Sequence, residues 1–487
     1  MKRNWMIASL ASILILSAPG TSLHAAGNEI TANVADDVQY TWNGTEMTPG
    51  APAVDVNGRL YMPIRALAEV LGKYVDWDAA SKKVILTDKP QLLGKYELKA
   101  KDLAEGIKMG VGSSLTHLPG DPDNVFYSTA DRGPNGQVEV DGEERRTFPL
   151  ASYTPSIYKI QVNDGEIKIL ETIPLKVNGV DPVSKTANIT GLPNVASRDE
   201  VPYDTEAKNL LGYDPYGVDI EGIGYNPNDD TFWISEEYGP SIIQVKRDGT
   251  ILQRIVPAGM KAMLDSPAIP LVESIPGVYL DRRKNRGMEA LSITPDGKWM
   301  FAAMQSPLRN PDKKTDNSRA LRILKFDLST LKAVAEYAYL TEDAAQFKDL
   351  KQSDIVISDL VAVSEHTLLI DERDKNAGDA AQLKKIYLTD LKGATNLLGK
   401  FDDPKQAGKT LEQMTVAEMT KAGIKTPVKS TVLDAVEFGF PYEKIEGLSL
   451  VGGNLLTIVN DNDFGVGSTE QGNGTILWQF KLPYSIK

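Results

Sequence analysis

The feature that most constrains this chain is a unit that returns five times. It consists of two short alternating runs joined by a turn, with carboxylates or other polar groups at both open ends. Residues 219–249 show it most clearly. Asp219-Ile220-Glu221-Gly222 leads an alternating run, Asn226-Pro227-Asn228-Asp229 turns the chain, and 231–235 runs back to Glu236-Glu237. Alternation bounded by Asn, Pro and Asp is the signal of a β-hairpin. An antiparallel hairpin returns its second strand beside its first, so both ends meet at one edge of the sheet. Glu221 and Glu236 are therefore expected at a common rim.

The other copies follow the same plan. Gly287-Met288-Glu289-Ala290-Leu291 turns at Pro295-Asp296-Gly297 and ends on Gln305-Ser306. Ile445-Glu446-Gly447-Leu448 turns at Gly452-Gly453-Asn454 and closes on Asn460-Asp461-Asn462-Asp463. Ser358-Asp359-Leu360 turns near 364–367 and reaches Asp371-Glu372-Arg373-Asp374. Ser113-Ser114-Leu115 passes through Pro119-Gly120-Asp121 to Asp131-Arg132-Gly133. Irregular repeats at this scale imply a β-propeller, one blade per unit around a common axis. Four hairpins are followed by two more runs: 156–162 with 166–173, 242–247 with 251–256, 321–327 with 333–339, and 385–389 with 395–398.

The last hairpin is followed by one run only, 475–482. A lone alternating run at 92–100 is expected to complete its blade, because pairing first and last strands removes an open sheet edge. The expected fold class is mainly β: a five-bladed β-propeller, with room for a sixth blade in insertions at 178–217, 257–285 and 399–442. Within these, 260–264 and 410–421 read as short helices.

Residues 1–26 carry Lys2 and Arg3, an apolar run at 5–18, and Leu23-His24-Ala25-Ala26. A charged start, an apolar core and a small-residue site make a secretory leader cut near Ala25 or Ala26. The mature chain is expected to be secreted and without a membrane span. No cysteine is present, which excludes disulfides, thiolate metal sites and cysteine nucleophiles. Loss of Lys2 and Arg3 makes the formal charge two units more negative than −13. That balance disfavours nucleic acid and anionic membrane surfaces as partners.

Residues 28–90 form a first module. An Asn57-Gly58 turn joins two short strands, Pro63 opens an amphipathic helix at 64–71 that Gly72 stops, and 75–78 with 83–86 make a final hairpin. Through Tyr61-Met62-Pro63-Ile64-Arg65, Ala68-Glu69, Leu71-Gly72 and Val75-Asp76-Trp77-Asp78 it resembles the copper amine oxidase N-terminal-like stalk domain. With no His or Cys it holds no copper ligands and reads as a small α+β stalk, a spacer or a contact to cell-wall polymer at the cell surface.

The remainder, 91–487, resembles the family called esterase-like activity of phytase, across about 108–465. The residues are Asp131-Arg132-Gly133, Asp219-Ile220-Glu221-Gly222, Ser235-Glu236-Glu237-Tyr238-Gly239-Pro240, Asn285-Arg286-Gly287-Met288-Glu289-Ala290-Leu291, Lys444-Ile445-Glu446-Gly447-Leu448 and Asn460-Asp461-Asn462-Asp463. Ala290 stands where other copies have glycine. The resemblance implies a propeller that hydrolyses a phosphate ester or another ester.

If the hairpins share an axis, their acidic ends converge on one mouth. Clustered carboxylates repel unless something positive compensates them. A hard cation, Ca²⁺ foremost, is one compensation, and Glu221, Glu236, Asp371 and Asp461 are its candidate ligands. Arginine is the other: Arg132, Arg286 and Arg373, with Tyr238, are candidate substrate contacts, since guanidinium forks match phosphate oxygens. Glu221, Glu289 and Glu446 are the candidate catalytic carboxylates. Acidic hairpin ends that merely cap turns or pair with arginines are the bland alternative.

A serine triad has poor material. The mature chain keeps only His117 and His366, Gly-x-Ser-x-Gly is absent, and Ser114 and His117 fall on opposite faces of one strand. Two classes remain: an exported metal-assisted phosphoesterase, or a non-catalytic surface propeller binding an extracellular ligand. A lactonase or sugar-dehydrogenase propeller is a third.

Overall fold

The computed structural model describes residues 32–42, 44–79, 81–99, 101–196, 198–466 and 474–487. The leader read at 1–26 lies outside them. The chain divides into two compact units, one reaching Lys89 and including Ser430–Val432, the other taking Pro90–Lys429 and Leu433–Lys487.

The small unit is built as its turn residues dictate. Strands Ala53–Val56 and Arg59–Tyr61 pair around Asn57-Gly58, both with positive φ (54° and 78°), as a two-residue hairpin turn requires. Asn33–Ala35 adds a third strand. Pro63 precedes the helix Ile64–Val70, and Gly72 leaves it at φ 66°. Ala66 and Ala68 of the helix are buried, as are Ala53, Val56, Tyr74 and Val75. Lys73–Asp78 and Lys83–Asp88 form the closing hairpin.

From residue 90 onward the chain builds five antiparallel arrays, the first and fifth joined into one eight-stranded sheet by a single parallel pair, Glu166 with Glu97. The first runs Ser114–Thr116, Val125–Thr129, Ser156–Asn163, Glu166–Pro174. The second runs Ile220–Asn226, Thr231–Glu236, Ser241–Lys246, Ile251–Pro257, and carries an extra strand, Leu271–Ile275, parallel to its edge. The third runs Met288–Ile293, Trp299–Met304, Ala320–Asp327, Lys332–Leu340. The fourth runs Val356–Ser364, Thr367–Arg373, Lys384–Asp390, Val428–Asp434. The fifth runs Gly447–Val451, Leu455–Val459, Gly474–Lys481, and takes Gln91–Lys99 from the start of the unit as its outer strand. Innermost strands of successive sheets pack on each other, and the fifth packs on the first, so the set closes into a ring.

Two assignments need correction. The outer strand of the fourth sheet is Val428–Asp434, not residues 395–398. That segment instead runs along the third sheet, where Leu397 N–H donates to Glu336 O at 2.8 Å and Asn396 Nδ2 donates to Val334 O. The insertion at 257–285 holds the extra strand as well as a 3-10 turn, Met260–Ala262. In the third insertion, the helix Val416–Lys421 starts at Thr415, which with Glu418 forms a capping box.

Neighbouring sheets bury both faces against each other. Tyr127, Ile157 and Ile173 of the first meet Ile223, Phe232 and Ile234 of the second, and Phe301, Leu321 and Ile323 of the third meet Ile357, Leu360 and Ile370 of the fourth. Each such side chain withdrawn from water contributes about 1.5–3 kcal/mol. Because both faces are covered, strand 231–236 is buried at every position.

Candidate active site

The innermost strands place the acidic residues. A β-bulge lies between Ile220 and Gly222 and another between Met288 and Ala290, so Glu221 and Glu289 each occupy the unpaired position. A bulge re-aims the side chain it carries. Glu446 lies just ahead of the strand Gly447–Val451. Glycine follows Glu221 and Glu446 for a packing reason: a Cβ on Gly222 would stand 2.6 Å from the Leu291 nitrogen, and one on Gly447 2.8 Å from Leu115 Cβ. Each clash is with the next sheet's innermost strand.

At this end of the ring lies a cavity of about 440 Å³, and Glu221, Glu237, Glu289, Glu446, Arg286 and Arg373 are among its lining residues. The opposite ends of the same strands line a larger cavity, about 540 Å³, around Leu115, Tyr225, Ile293 and Val361. It has no comparable charge set.

Two carboxylate groups form inside the acidic end. Asp219, Glu221 and Glu237 each bring an oxygen within 4.8 Å of the others. Arg132 serves one of them, with its backbone N–H 3.1 Å from Asp219 Oδ1 and its guanidinium 3.1 Å from Oδ2. Glu237 accepts from Gly287 N–H at 3.2 Å. Burial, only partly offset by Arg132, pushes Asp219 up to about 7. Burial and then the Asp219 charge push Glu237 up to about 7. Glu221 is raised well above the carboxylate range by burial, then by Glu289 and Asp219.

Asp131, Asp461 and Asp463 form the second group. The Lys444 ammonium stands 2.8 Å from Asp463 and 3.8 Å from Asp461, and 3.5 Å from Glu446. Burial opposes the charge on Lys444, yet Asp463, Glu446 and Asp461 together hold its pKa well above the usual lysine range. Asp461 is raised by burial and by Asp463. Asp463 and Phe464 both have positive φ (46° and 55°), a conformation unusual for residues with a Cβ.

The remaining charges are sorted by their partners. Glu289 accepts from Gln305 Nε2 through Oε1, while its buried Oε2 has no hydrogen-bond partner. Burial, then Glu237 and Glu446, raise Glu289 well above its usual range. Arg373 donates to Ser358 Oγ at 2.7 Å and to Glu446 Oε1 at 3.0 Å. Arg132 is enclosed by Asp219, Glu200 at 2.9 Å and Asn285. Arg286 donates to Gln305 Oε1 at 2.7 Å.

Thus Glu221, Glu289 and Glu446 share the cavity with Arg132, Arg286 and Arg373. The four candidate metal ligands do not form one set among the described residues. Glu236 points into its own turn, accepting from Tyr238 N–H at 2.8 Å and Ser241 Oγ at 2.7 Å. Asp371 is fully buried, neither oxygen hydrogen-bonded, and does not line the cavity. Asp461 belongs with Lys444. Tyr238 is buried, its hydroxyl donating to Gly191 O at 2.6 Å. Asp219, Glu237 and Lys444 were present in the sequence motifs, but strand alternation alone assigned them no role.

Comparison with known proteins gives these residues a family. A family model described as esterase-like activity of phytase matches residues 107–464, and one described as copper amine oxidase N-terminal domain matches 20–86. An uncharacterized secreted protein of Arthroderma benhamiae is 29% identical over 340 residues, 59% of this chain. The matched region spans 65% of that protein's length. Among solved structures, U3-55K aligns at 9% identity and TM-score 0.34 over 81% of this chain and 100% of its own. Hydrazine synthase of Kuenenia stuttgartiensis aligns at 12% and 0.28 over 70% and 76%. The phytase-like model covers well over half of the residues, so the chain belongs to the phytase-like family, described by esterase-like activity of phytase.

Proposed function

We propose that the chain is an exported hydrolase that cleaves a phosphate ester at the acidic mouth of a five-bladed β-propeller. The observation that carries this is the convergence of Asp219, Glu221 and Glu237 within 4.8 Å, beside a buried Glu289 whose Oε2 has no partner. An oxygen-only set around an unneutralised charge fits a hard cation such as Ca²⁺, and Asp219, Glu221 and Glu237 are the residues that would hold it. When bound, such an ion supplies neutralisation of phosphoryl charge and a more acidic water.

The side chains supply the rest. In the hydrolysis, a water oxygen forms the new P–O bond as the ester P–O bond breaks. Glu289, whose proton affinity burial and then Glu237 and Glu446 raise, is placed to give a proton to the departing oxygen. Glu446, paired with Arg373, is placed to accept a proton from the water. Export is supported by the leader, by the relative described as secreted, and by the finding that no described helix is long and apolar enough to cross a membrane. In the small unit Leu60, Trp77 and Leu86 are about half exposed (57%, 48% and 52%), which supports a wall-contact role for the stalk.

The test is phosphate release from phytate and from nitrophenyl phosphate. We expect turnover that needs calcium, stops with EDTA and is lost in Glu221→Gln, which takes away a ligand of the ion, and that falls by about 10²–10⁴-fold in Glu289→Gln, which takes away the acid. No turnover of any ester, with calcium still raising the melting temperature, favours a non-catalytic binding propeller. The enclosure of Arg132 and Arg373 in ion pairs is the observation on that side.

A further inference from the structure

Seven cationic side chains line the acidic cavity: Arg132, Arg146, Arg283, Arg286, Arg373, Lys375 and Lys444. Five are held by carboxylates. Arg132 pairs with Asp219, Arg146 with Glu200, Arg373 with Glu446, Lys375 with Asp354, and Lys444 with Asp463. Arg283 and Arg286 have no ion pair among the described residues. They sit together, their backbones joined by an isolated antiparallel bridge.

What keeps Arg286 uncompensated is a neutral side chain. Gln305 is buried and its backbone is fixed on both sides: its N–H donates to Gly287 O at 3.0 Å, and its carbonyl accepts from Ile357 N–H at 3.2 Å. Its amide then divides between two charges. Oε1 accepts from Arg286 at 2.7 Å, and Nε2 donates to Glu289. An amide can do both at once; a carboxylate has no hydrogen to give and would neutralise the arginine.

We propose that Arg286, flanked by Arg283, receives the anionic group of the substrate, and that Gln305 is the positioning residue that holds it free and level with Glu289. This rests on the hydrolase reading of the same cavity and narrows it to phosphate monoesters over neutral carboxylic esters. A dianionic phosphoryl group supplies the charge that the fold withholds from these two arginines, and a guanidinium fork binds its oxygens bidentately. Arg132 and Arg373 are then structural, paired with Asp219 and Glu446.

The experiment is calorimetric binding of inorganic phosphate to the full chain in metal-free buffer, alongside melting temperatures. Arg286→Ala and Gln305→Glu are each expected to weaken phosphate binding at least about tenfold, the worth of one charged hydrogen bond. Gln305→Glu keeps size and shape, so its melting temperature reports whether the fold survives; Arg286→Lys serves the same purpose for the arginine and should bind with intermediate strength. If esters are turned over, Gln305→Glu should raise KM for nitrophenyl phosphate and leave KM for nitrophenyl acetate unchanged. Wild-type affinity for phosphate in folded Arg286→Ala and Gln305→Glu, or no phosphate binding by the wild type, overturns the proposal. Arg286-dependent phosphate binding without turnover of any ester upholds it while the hydrolase reading falls. Turnover of neutral esters that is indifferent to Arg286 does the reverse.

Discussion

The two carboxylate groups at the mouth are built from the same material and resolved differently. Asp131, Asp461 and Asp463 surround Lys444, an ammonium supplied by the chain itself. Asp219, Glu221 and Glu237 have Arg132, which reaches only Asp219, and the other two carboxylates face the cavity. Where the chain brings its own cation it has made a structural joint. Where it does not, it has left a charge for something else to answer, at a free-energy cost that burial makes large. The contrast predicts that one group responds to removal of a side chain and the other to addition of an ion.

The largest expected effect is on the group around Lys444. Lys444→Met removes the ammonium beside Asp463, Asp461 and Glu446; losing one partner of a fully buried pair costs about 3–5 kcal/mol, an upper bound here because Asp463 is 29% exposed. Denaturant midpoints in metal-free buffer should show it. An unchanged midpoint would mean that Lys444 compensates nothing and that the two groups are alike after all.

How much of this contrast could be read from the sequence depends on what decides each position. Hairpin geometry brought Glu221, Glu289 and Glu446 to one opening, because it rests only on antiparallel return and on Glu-Gly pairs. The pairing of a strand expected at 92–100, and found at Gln91–Lys99, with the last sheet was equally visible, since an unpaired strand at each end leaves a ring with an edge. Glu236 and Glu237 were not separable. They are adjacent where a strand ends, and a turn at 238–241 that offers an N–H and a hydroxyl captured the first and left the second to the cavity. Asp371 and Arg373 occupy the same strand two positions apart, yet only the arginine lies at the mouth. Depth along a strand is set by the ring, not by alternation. The misplaced outer strand of the fourth sheet had a similar cause, because a long insertion separates Lys384–Asp390 from its true neighbour.

The next effect concerns protons in the group of Asp219, Glu221 and Glu237. Asp219 and Glu237 titrate near 7 in the fold and near 4 in an unfolded chain. The native state therefore holds more protons between these values, and stability should fall as pH rises from about 4 to about 7, then level off. Replacing Glu237 with Gln removes its share of that fall, on the order of 1–3 kcal/mol across the window. Melting curves of both proteins at pH 5 and pH 8 give the comparison. If the two lose stability equally, Glu237 is not the proton-binding group.

An effect of similar size follows from adding the ion. Calcium at a hundred times its dissociation constant should stabilise the wild type by about 2.7 kcal/mol. The gain should increase with pH, because the ion competes with the protons just described. Glu221→Gln should lose most of this gain, while Lys444→Met keeps it. A calcium response that survives Glu221→Gln but vanishes with Asp461→Asn would move the metal to the other group and reverse the comparison.

The smallest effect is the one that separates a compensated cluster from an open one. Asp461 is buried, and burial together with the charge of Asp463 raises its pKa well above the usual range. That shift favours the neutral acid, with which asparagine is nearly isosteric. Asp461→Asn should therefore change stability by less than about 1 kcal/mol, because Lys444 keeps Asp463 at 2.8 Å as its principal partner. The same exchange at Asp463 takes that partner away and should cost more. A loss at Asp461 equal to the loss at Asp463 would show both carboxylates to be charged around Lys444, and the cluster would then be as underneutralised as its neighbour.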